Sequence, residues 1–303
     1  MYLARAITVR GLVQFGWKQC LLFAVVSSTV CYLHEAQILK NIAIPFLPLS
    51  TLGTAMAIIL GFRNNSAYDR WWEARKIWGG LVNQSRTWSA QVTTCIAAGE
   101  TEAAEVAELK RELVHRHIGY LNALRLQLRQ QDDWQEVARF LPEDERSQLS
   151  EWVNQSTQIN ARNAARLRDA LDRGWLDSFR HVAMLDTLEQ FYELQGKCER
   201  IKNTPLPRQY SFFTTVFVWI FVLLLPFGFV KELGWWTVPM SVLVGWIFIA
   251  LEQVGRYTED PFQNFVHDVS MTALCRAIEI DLRQMLGETE LPPPIQPERN
   301  ILM

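Results

Sequence analysis

The sequence predicts an all-α membrane protein in which four transmembrane helices accompany a large cytosolic helical domain. Four stretches are long and apolar enough to cross a bilayer, and the segment between the second and third shows helical periodicity instead. The sequence contains no strand-like alternation and no internal repeat. Of the 303 residues, 49% are hydrophobic and 20% are charged, a balance typical of a membrane protein with a soluble part.

The four predicted spans follow from the thickness of a bilayer, because about 20 mostly apolar residues cross roughly 30 Å of hydrocarbon. They cover residues 17–36, 42–62, 212–230 and 233–251. Arginines precede the first span, but no small-residue cleavage signature follows, so we interpret it as an uncleaved membrane helix. Arginines and lysines precede the first span and follow the second, which predicts that both flanks and both chain termini are cytoplasmic.

The segment between the second and third spans predicts soluble helices. In AEVAELKRELVHRHIGYLNALRLQL, apolar residues such as Val106, Leu109 and Leu113 recur at intervals of three and four. Pro205 and Pro207 mark the return to the membrane. We therefore expect four segments: an N-terminal segment with the first two spans (1–62), the cytosolic helical domain (63–210), the last two spans (211–252) and a cytosolic C-terminal loop, helix and proline-rich tail (253–303).

Several function classes are disfavoured by composition and motif content. A net charge of −2 gives no basic field for nucleic acid, and the five cysteines show no paired spacing. No nucleotide or hydrolase motif occurs, and His115 and His117, two apart on a helix, point too far apart to share an ion unaided. The spans carry no cluster of acids or histidines away from their ends. We expect no cofactor, no metal and no enzymatic activity.

The second span has the pattern of a pore-lining helix. Its outer half is rich in small and polar residues, which suits a helix that partly faces water. Steps of four give Ser50, Thr54, Ile58 and Phe62, and on the continued helix Asp69 and Glu73. A face that runs polar, bulky apolar and then acidic suits a wet vestibule, a hydrophobic constriction and a polar chamber. The alternative is a helix packed inside a bundle. One chain supplies one such face, so a pore requires a symmetric homo-oligomer.

Four motifs identify a family resemblance across nearly the whole chain. They are GFRNNSAYDRWWEARKIW after the second span, ERIKNTPLP before the third, PFGF within the third and EDPFQNF after the fourth. In this order and with this layout of spans, the sequence resembles the prokaryotic branch of the bestrophin family. The resemblance implies a homopentameric ion channel in the bacterial cytoplasmic (inner) membrane, with four membrane helices per subunit and one central pore.

The resemblance also implies roles for particular residues. Ile58 and Phe62 are expected to line a hydrophobic neck with Thr54 one turn above, where the family pattern has a bulky apolar residue. By position, Val182 in SFRHVAMLD is the candidate for a second constriction at the cytosolic exit. Animal members are gated by calcium through a run of acids, but TEDPFQNFVHDV supplies too few consecutive carboxylates for a hard cation. We expect Glu259 and Asp260 to form a capped, solvated turn.

The sign of the permeant ion depends on charges below the neck. Rings formed by Asp69 and Glu73 would attract cations, whereas Arg63 and Arg70 at neighbouring helical angles would offset them. The resemblance implies monovalent cations, such as sodium, for bacterial members and anions for animal members. We therefore predict a cation channel, with a chloride or anion channel of the same architecture as the alternative. A membrane-anchored cytosolic binding or sensory module is the other alternative.

Overall fold

The computed structural model describes residues 16–38, 43–298 and 300–302, and within these residues it is helical with no β-strand. An isolated antiparallel bridge joins Glu298 and Ile301 in the tail. The predicted all-α class is confirmed. We number the helices α1 Trp17–Glu35, α2 Phe46–Cys95, α3 Ala103–Arg129, α4 Gln135–Ala138, α5 Glu143–Gln148, α6 Gln155–Asp172, α7 Ser178–Asn203, α8 Arg208–Leu233, α9 Thr237–Thr258 and α10 Met271–Met285, with 3₁₀ turns at Glu100–Glu102 and Gly234–Trp236.

The described residues form two compact units. The first, which we call the membrane unit, comprises residues 16–38, 43–71 and 205–260, and the second, the helical unit, comprises 72–204, 261–298 and 300–302. The predicted segment boundaries at residues 63 and 210 stay a prediction.

The membrane unit packs α1, α8, α9 and the first half of α2 around an apolar core. Phe23, Met56, Leu60, Val218 and Phe221 are buried there. Small residues allow close approach between helices: a Cβ placed on Gly245 of α9 would lie 2.7 Å from Val222 and 2.8 Å from the ring of Phe23. The core is therefore built from interlocked helices, as expected where lipid provides no hydrophobic drive for helix association.

Helix α2 extends far beyond the predicted second span. It begins at Phe46, directly after Pro45, and continues without interruption to Cys95. Pro48 lies in its first turn, where a missing backbone N–H is tolerated. The prediction of a span at 42–62 was based on hydropathy, which detects only the apolar part of the helix. The helix itself continues through a polar sequence that has no internal proline after residue 48.

Length and hydropathy identify two segments of the described chain as able to cross a membrane, Phe46–Cys95 and Arg208–Thr258. The turn Gly234–Trp236, with Gly234 at a φ of 52°, divides the second of them into α8 and α9. Helix α1 has 19 residues, close to the length of a span. The number of four spans per chain stays a prediction.

The helical unit has its own core, built on α3. Trp78, Trp88, Leu113, Tyr120 and Phe191 are fully buried in it. A buried arginine, Arg116, is neutralised by Glu112 and Glu145 at 2.6 and 2.7 Å. The periodicity seen in α3 is therefore the signature of a core helix.

Candidate pore-lining helix

The membrane half of α2 has one buried and one exposed face. Leu49, Met56 and Leu60 are buried against the other helices of the membrane unit. On the exposed face, Ile58 is 55% and Phe62 65% exposed, and Thr54 is exposed one turn earlier. Spacing by four residues keeps these three side chains on one face, as the sequence predicted.

The hydroxyl groups on this helix are largely satisfied by its own backbone. Thr54 Oγ1 donates to Ser50 O at 3.0 Å, and Ser50 Oγ donates to Leu47 O at 2.8 Å. Ser66 Oγ likewise donates to Phe62 O at 3.0 Å. Each of these hydroxyl oxygens retains acceptor capacity for water. The face is therefore moderately polar above and below the apolar pair Ile58 and Phe62.

The acids below the apolar pair differ in their surroundings. Asp69 is exposed and makes no ion pair within the described residues. Glu73 accepts a hydrogen bond from Arg200 Nη2 at 2.7 Å, so its charge is balanced by a partner on α7. Of the two predicted ring acids, Asp69 alone presents an unbalanced carboxylate.

Arg63 does not lie beside these acids, and the prediction that it offsets their charge is wrong. Its side chain is 1% exposed, and Nη1 lies 3.2 Å from Glu252 Oε1. Arginine is assigned to solvent by hydropathy, whereas here it lies on the buried face of α2 and is neutralised inside the membrane unit. Thr215 Oγ1 also donates to Glu252 Oε1, at 2.7 Å.

Glu259 lies at the partly buried edge of the same cluster. Its Oε2 lies 3.8 Å from Arg63 Nη2 and accepts a hydrogen bond from Ser211 Oγ at 3.1 Å. The prediction that Glu259 forms only a solvated turn is therefore wrong. For this cluster the sequence offered one signal, an arginine directly after one span and an acid at the end of another. It contains no pattern that pairs Arg63 with Glu252, which lies 189 positions away.

Val182 lies near the start of α7, on the exposed surface of the helical unit. It is 57% exposed, and Phe179, one turn earlier, is 91% exposed. Asp177 caps this helix, because its Oδ1 accepts from the backbone N–H groups of Phe179 and Arg180. Two apolar side chains therefore project from a well-capped helix start, and Phe179 is the one that sequence reasoning missed.

The two candidate histidines occupy different environments. His117 is fully buried, with Nε2 2.9 Å from Ser85 Oγ, and burial lowers its pKa to about 3. His115 Nε2 lies 2.7 Å from Glu288 Oε1. Within the described part of the chain, no group of three or more His, Cys, Asp or Glu side chains is placed to hold a metal ion.

Comparisons with known proteins agree with this architecture. Residues 5–284 match the family model described as Bacterial/Fungal Bestrophin protein. The chain is 34% identical over 253 residues to the voltage-dependent anion channel-forming protein YneE of Escherichia coli K12, covering 84% of this chain and 81% of that protein. It is 36% identical over 247 residues to the voltage-dependent anion channel-forming protein RSc3414 of Ralstonia nicotianae, covering 80% and 78%. The crystal structure of a bacterial bestrophin homolog from Klebsiella pneumoniae superposes with a TM-score of 0.84 at 28% identity, covering 89% of this chain and 98% of that one.

Proposed function

The chain belongs to the bacterial and fungal bestrophin family of ion channels, and we propose that it forms a homopentameric channel whose neck is lined by Thr54, Ile58 and Phe62. It is a membrane protein and not an enzyme. Family membership also replaces the hypothesis of a membrane-anchored binding module. We further propose that the channel resides in the bacterial inner membrane with both termini in the cytoplasm.

The proposal depends mainly on the exposed stripe of α2, which is formed by Thr54, Ile58, Phe62 and Asp69. Ile58 and Phe62 are more than half exposed although they lie on a membrane helix whose opposite face is fully packed. A stripe that faced lipid would stay apolar along its length, but this one passes from Thr54 through the apolar pair to Asp69. A short apolar segment between polar segments is the arrangement that gates water and ions by dewetting.

A neck requires several copies of this stripe around one axis. A single chain presents one stripe, and a closed ring of identical subunits arranges identical stripes at equal distances from the axis. The relationship to bestrophin homologs supports a homo-oligomer in the bilayer, and we propose five subunits. In this arrangement Val182 forms the second constriction, at the cytosolic exit of the domain proposed for residues 63–210.

We propose that the permeant ions are monovalent cations such as sodium. Asp69 offers an exposed, unpaired carboxylate about two turns below Phe62, while Arg63 is buried and neutralised by acids. A ring of such carboxylates raises the local concentration of cations. The second candidate is an anion channel, and the comparisons favour it over a cation channel, because the relatives from Escherichia coli and Ralstonia nicotianae are named anion channel-forming proteins.

Currents through purified protein in planar bilayers test both parts of the proposal. Wild type, Ile58→Ala and Phe62→Ala are compared under a sodium chloride gradient, and both current and reversal potential are recorded. Shortening the neck side chains should raise the current several-fold, with reversal near the sodium potential. Reversal near the chloride potential would keep the channel and establish the anion candidate. Silence of all three proteins as assembled oligomers would contradict the channel itself.

A further inference from the structure

The geometry points to Arg63 as a positioning residue for the neck: its buried ion pair with Glu252 and its longer contact with the partly buried Glu259 fix the rotation of α2 that presents Phe62 to the pore. We call these three residues the arginine clamp. The inference rests on the proposed function, since it concerns the neck that the channel requires. Arg63 itself is buried and is not one of the proposed neck residues.

Phe62 and Arg63 are neighbours in sequence but face opposite environments. About 100° of helix rotation separates adjacent residues, so any rotation of α2 moves both side chains together. Phe62 is 65% exposed, whereas Arg63 is 1% exposed. Holding the arginine in its buried position therefore holds the phenylalanine in its exposed one.

The clamp ties α2 to both of the last two membrane helices. Arg63 Nη1 reaches Glu252 on α9 at 3.2 Å, and Nη2 lies 3.8 Å from Glu259, which caps the same helix. Each carboxylate is also held from α8, Glu252 by Thr215 at 2.7 Å and Glu259 by Ser211 at 3.1 Å. Because each acid accepts a hydrogen bond from α8, the positions of the two carboxylates that face Arg63 are fixed.

A second contact sets the position of α2 along its axis. Asn64 Nδ2 donates to Leu251 O of α9 at 3.0 Å. The same amide lies against Gly255, where a Cβ would approach Asn64 Oδ1 to 2.2 Å. Two consecutive residues of α2 thus dock on one turn of α9, which constrains both rotation and sliding at the level of the neck.

The charge of Arg63 holds α2 in one rotational position rather than in a range of positions. An arginine withdrawn from its carboxylates would leave unpaired charge in a site of low dielectric, and breaking a buried pair is far more costly than losing an exposed one. Buried ion pairs of this kind are best known for fixing register between packed elements. Neutralising Arg63 should therefore free α2 to rotate and take Phe62 away from a common position.

The test is a double-mutant cycle between Phe62 and Arg63, with bilayer current as the readout. In wild type, Phe62→Ala should raise the current several-fold. In an Arg63→Met background, where Phe62 no longer has a fixed position, the same substitution should change the current less than two-fold. Arg63→Lys, which keeps the charge, should restore most of the Phe62→Ala effect. Residues in contact or sharing a network show such non-additivity, and independent residues do not.

Controls separate positioning from simple loss of structure. Each variant is compared only as an assembled oligomer of unchanged mass, and Glu252→Gln, which keeps the shape of the acceptor, replaces Arg63→Met if the latter does not assemble. Arg168→Met removes an arginine whose ion pair with Asp172 is exposed, and should leave the Phe62→Ala effect intact.

Two outcomes would count against different claims. An unchanged Phe62→Ala effect in the Arg63→Met or Glu252→Gln background would overturn the positioning role while leaving the channel in place. Absence of current in wild type, or of any Phe62→Ala effect there, would instead contradict the proposed function.

Discussion

At the scale of single residues, Asp69 carries the proposal for ion sign. It is the acid on the exposed stripe that no arginine or lysine balances within the described chain. Asp69→Asn should therefore lower the ratio of sodium to chloride permeability and move the reversal potential toward that of chloride. Glu108→Gln, at an exposed acid of the helical unit, is the matched control and should leave the reversal potential unchanged. Equal reversal potentials for Asp69→Asn and wild type would exclude Asp69 as the source of selectivity.

His117 makes the stability of the helical unit dependent on pH. Burial lowers its pKa from 6.5 to about 3, so the folded protein keeps the ring neutral where the unfolded chain binds a proton. Stability is therefore lost as pH falls below 6.5, by about 2 kcal/mol per subunit at pH 5. The thermal midpoint of wild type should fall more between pH 7 and pH 5 than that of His117→Gln. Parallel falls in both proteins would assign the pH dependence to other groups.

Sequence reasoning at the residue scale succeeded where a local pattern was sufficient. The common face of Thr54, Ile58 and Phe62 follows from helical spacing, and the structure exposes all three. It failed for Arg63, because hydropathy assigns a charge to solvent and cannot see a partner 189 residues away. The contact between Glu259 and Arg63 was missed for the same reason, because tertiary packing determines which acids lie beside the arginine.

At the scale of elements, α2 shows the difference between a span and a helix. Hydropathy predicted an apolar segment that ends at residue 62, and the helix continues to Cys95 because nothing in its polar sequence stops it. Because the helix is uninterrupted, the polar residues after Phe62 continue the same helical spacing as the neck residues. The helix end was not predictable from hydropathy, which senses solvent and not backbone continuity.

Close packing between membrane helices gives a prediction at this scale. Gly245→Ala should lower the thermal midpoint of the assembled protein, because its Cβ would collide with Val222 and Phe23, and overpacking typically costs about 1–3 kcal/mol. Gly196→Ala on α7 is the matched control, since a Cβ there meets nothing within 4 Å and alanine favours a helix by up to about 1 kcal/mol. A midpoint that does not fall in Gly245→Ala would mean that α9 is free to shift.

At the scale of the whole molecule, the all-α class and the family follow from sequence, whereas the assembly does not follow from one chain. Exposed apolar side chains such as Ile58 and Phe62 indicate that something covers or faces them, but not how many copies do so. The number of subunits is a property of the interface between chains. The sequence motifs indicate the number of subunits only through the family that they identify.

The central claim is that Phe62 side chains from several subunits meet at one conducting axis, and zinc block of Phe62→Cys tests it most directly. Thiolates bind Zn²⁺ strongly when several can reach one ion, as cysteines around a common axis would. We expect micromolar Zn²⁺ to block the current of Phe62→Cys, reversibly on chelation, while wild type and Leu243→Cys, exposed on α9, stay unaffected. Zinc-insensitive current in Phe62→Cys, or equal block in Leu243→Cys, would contradict the claim.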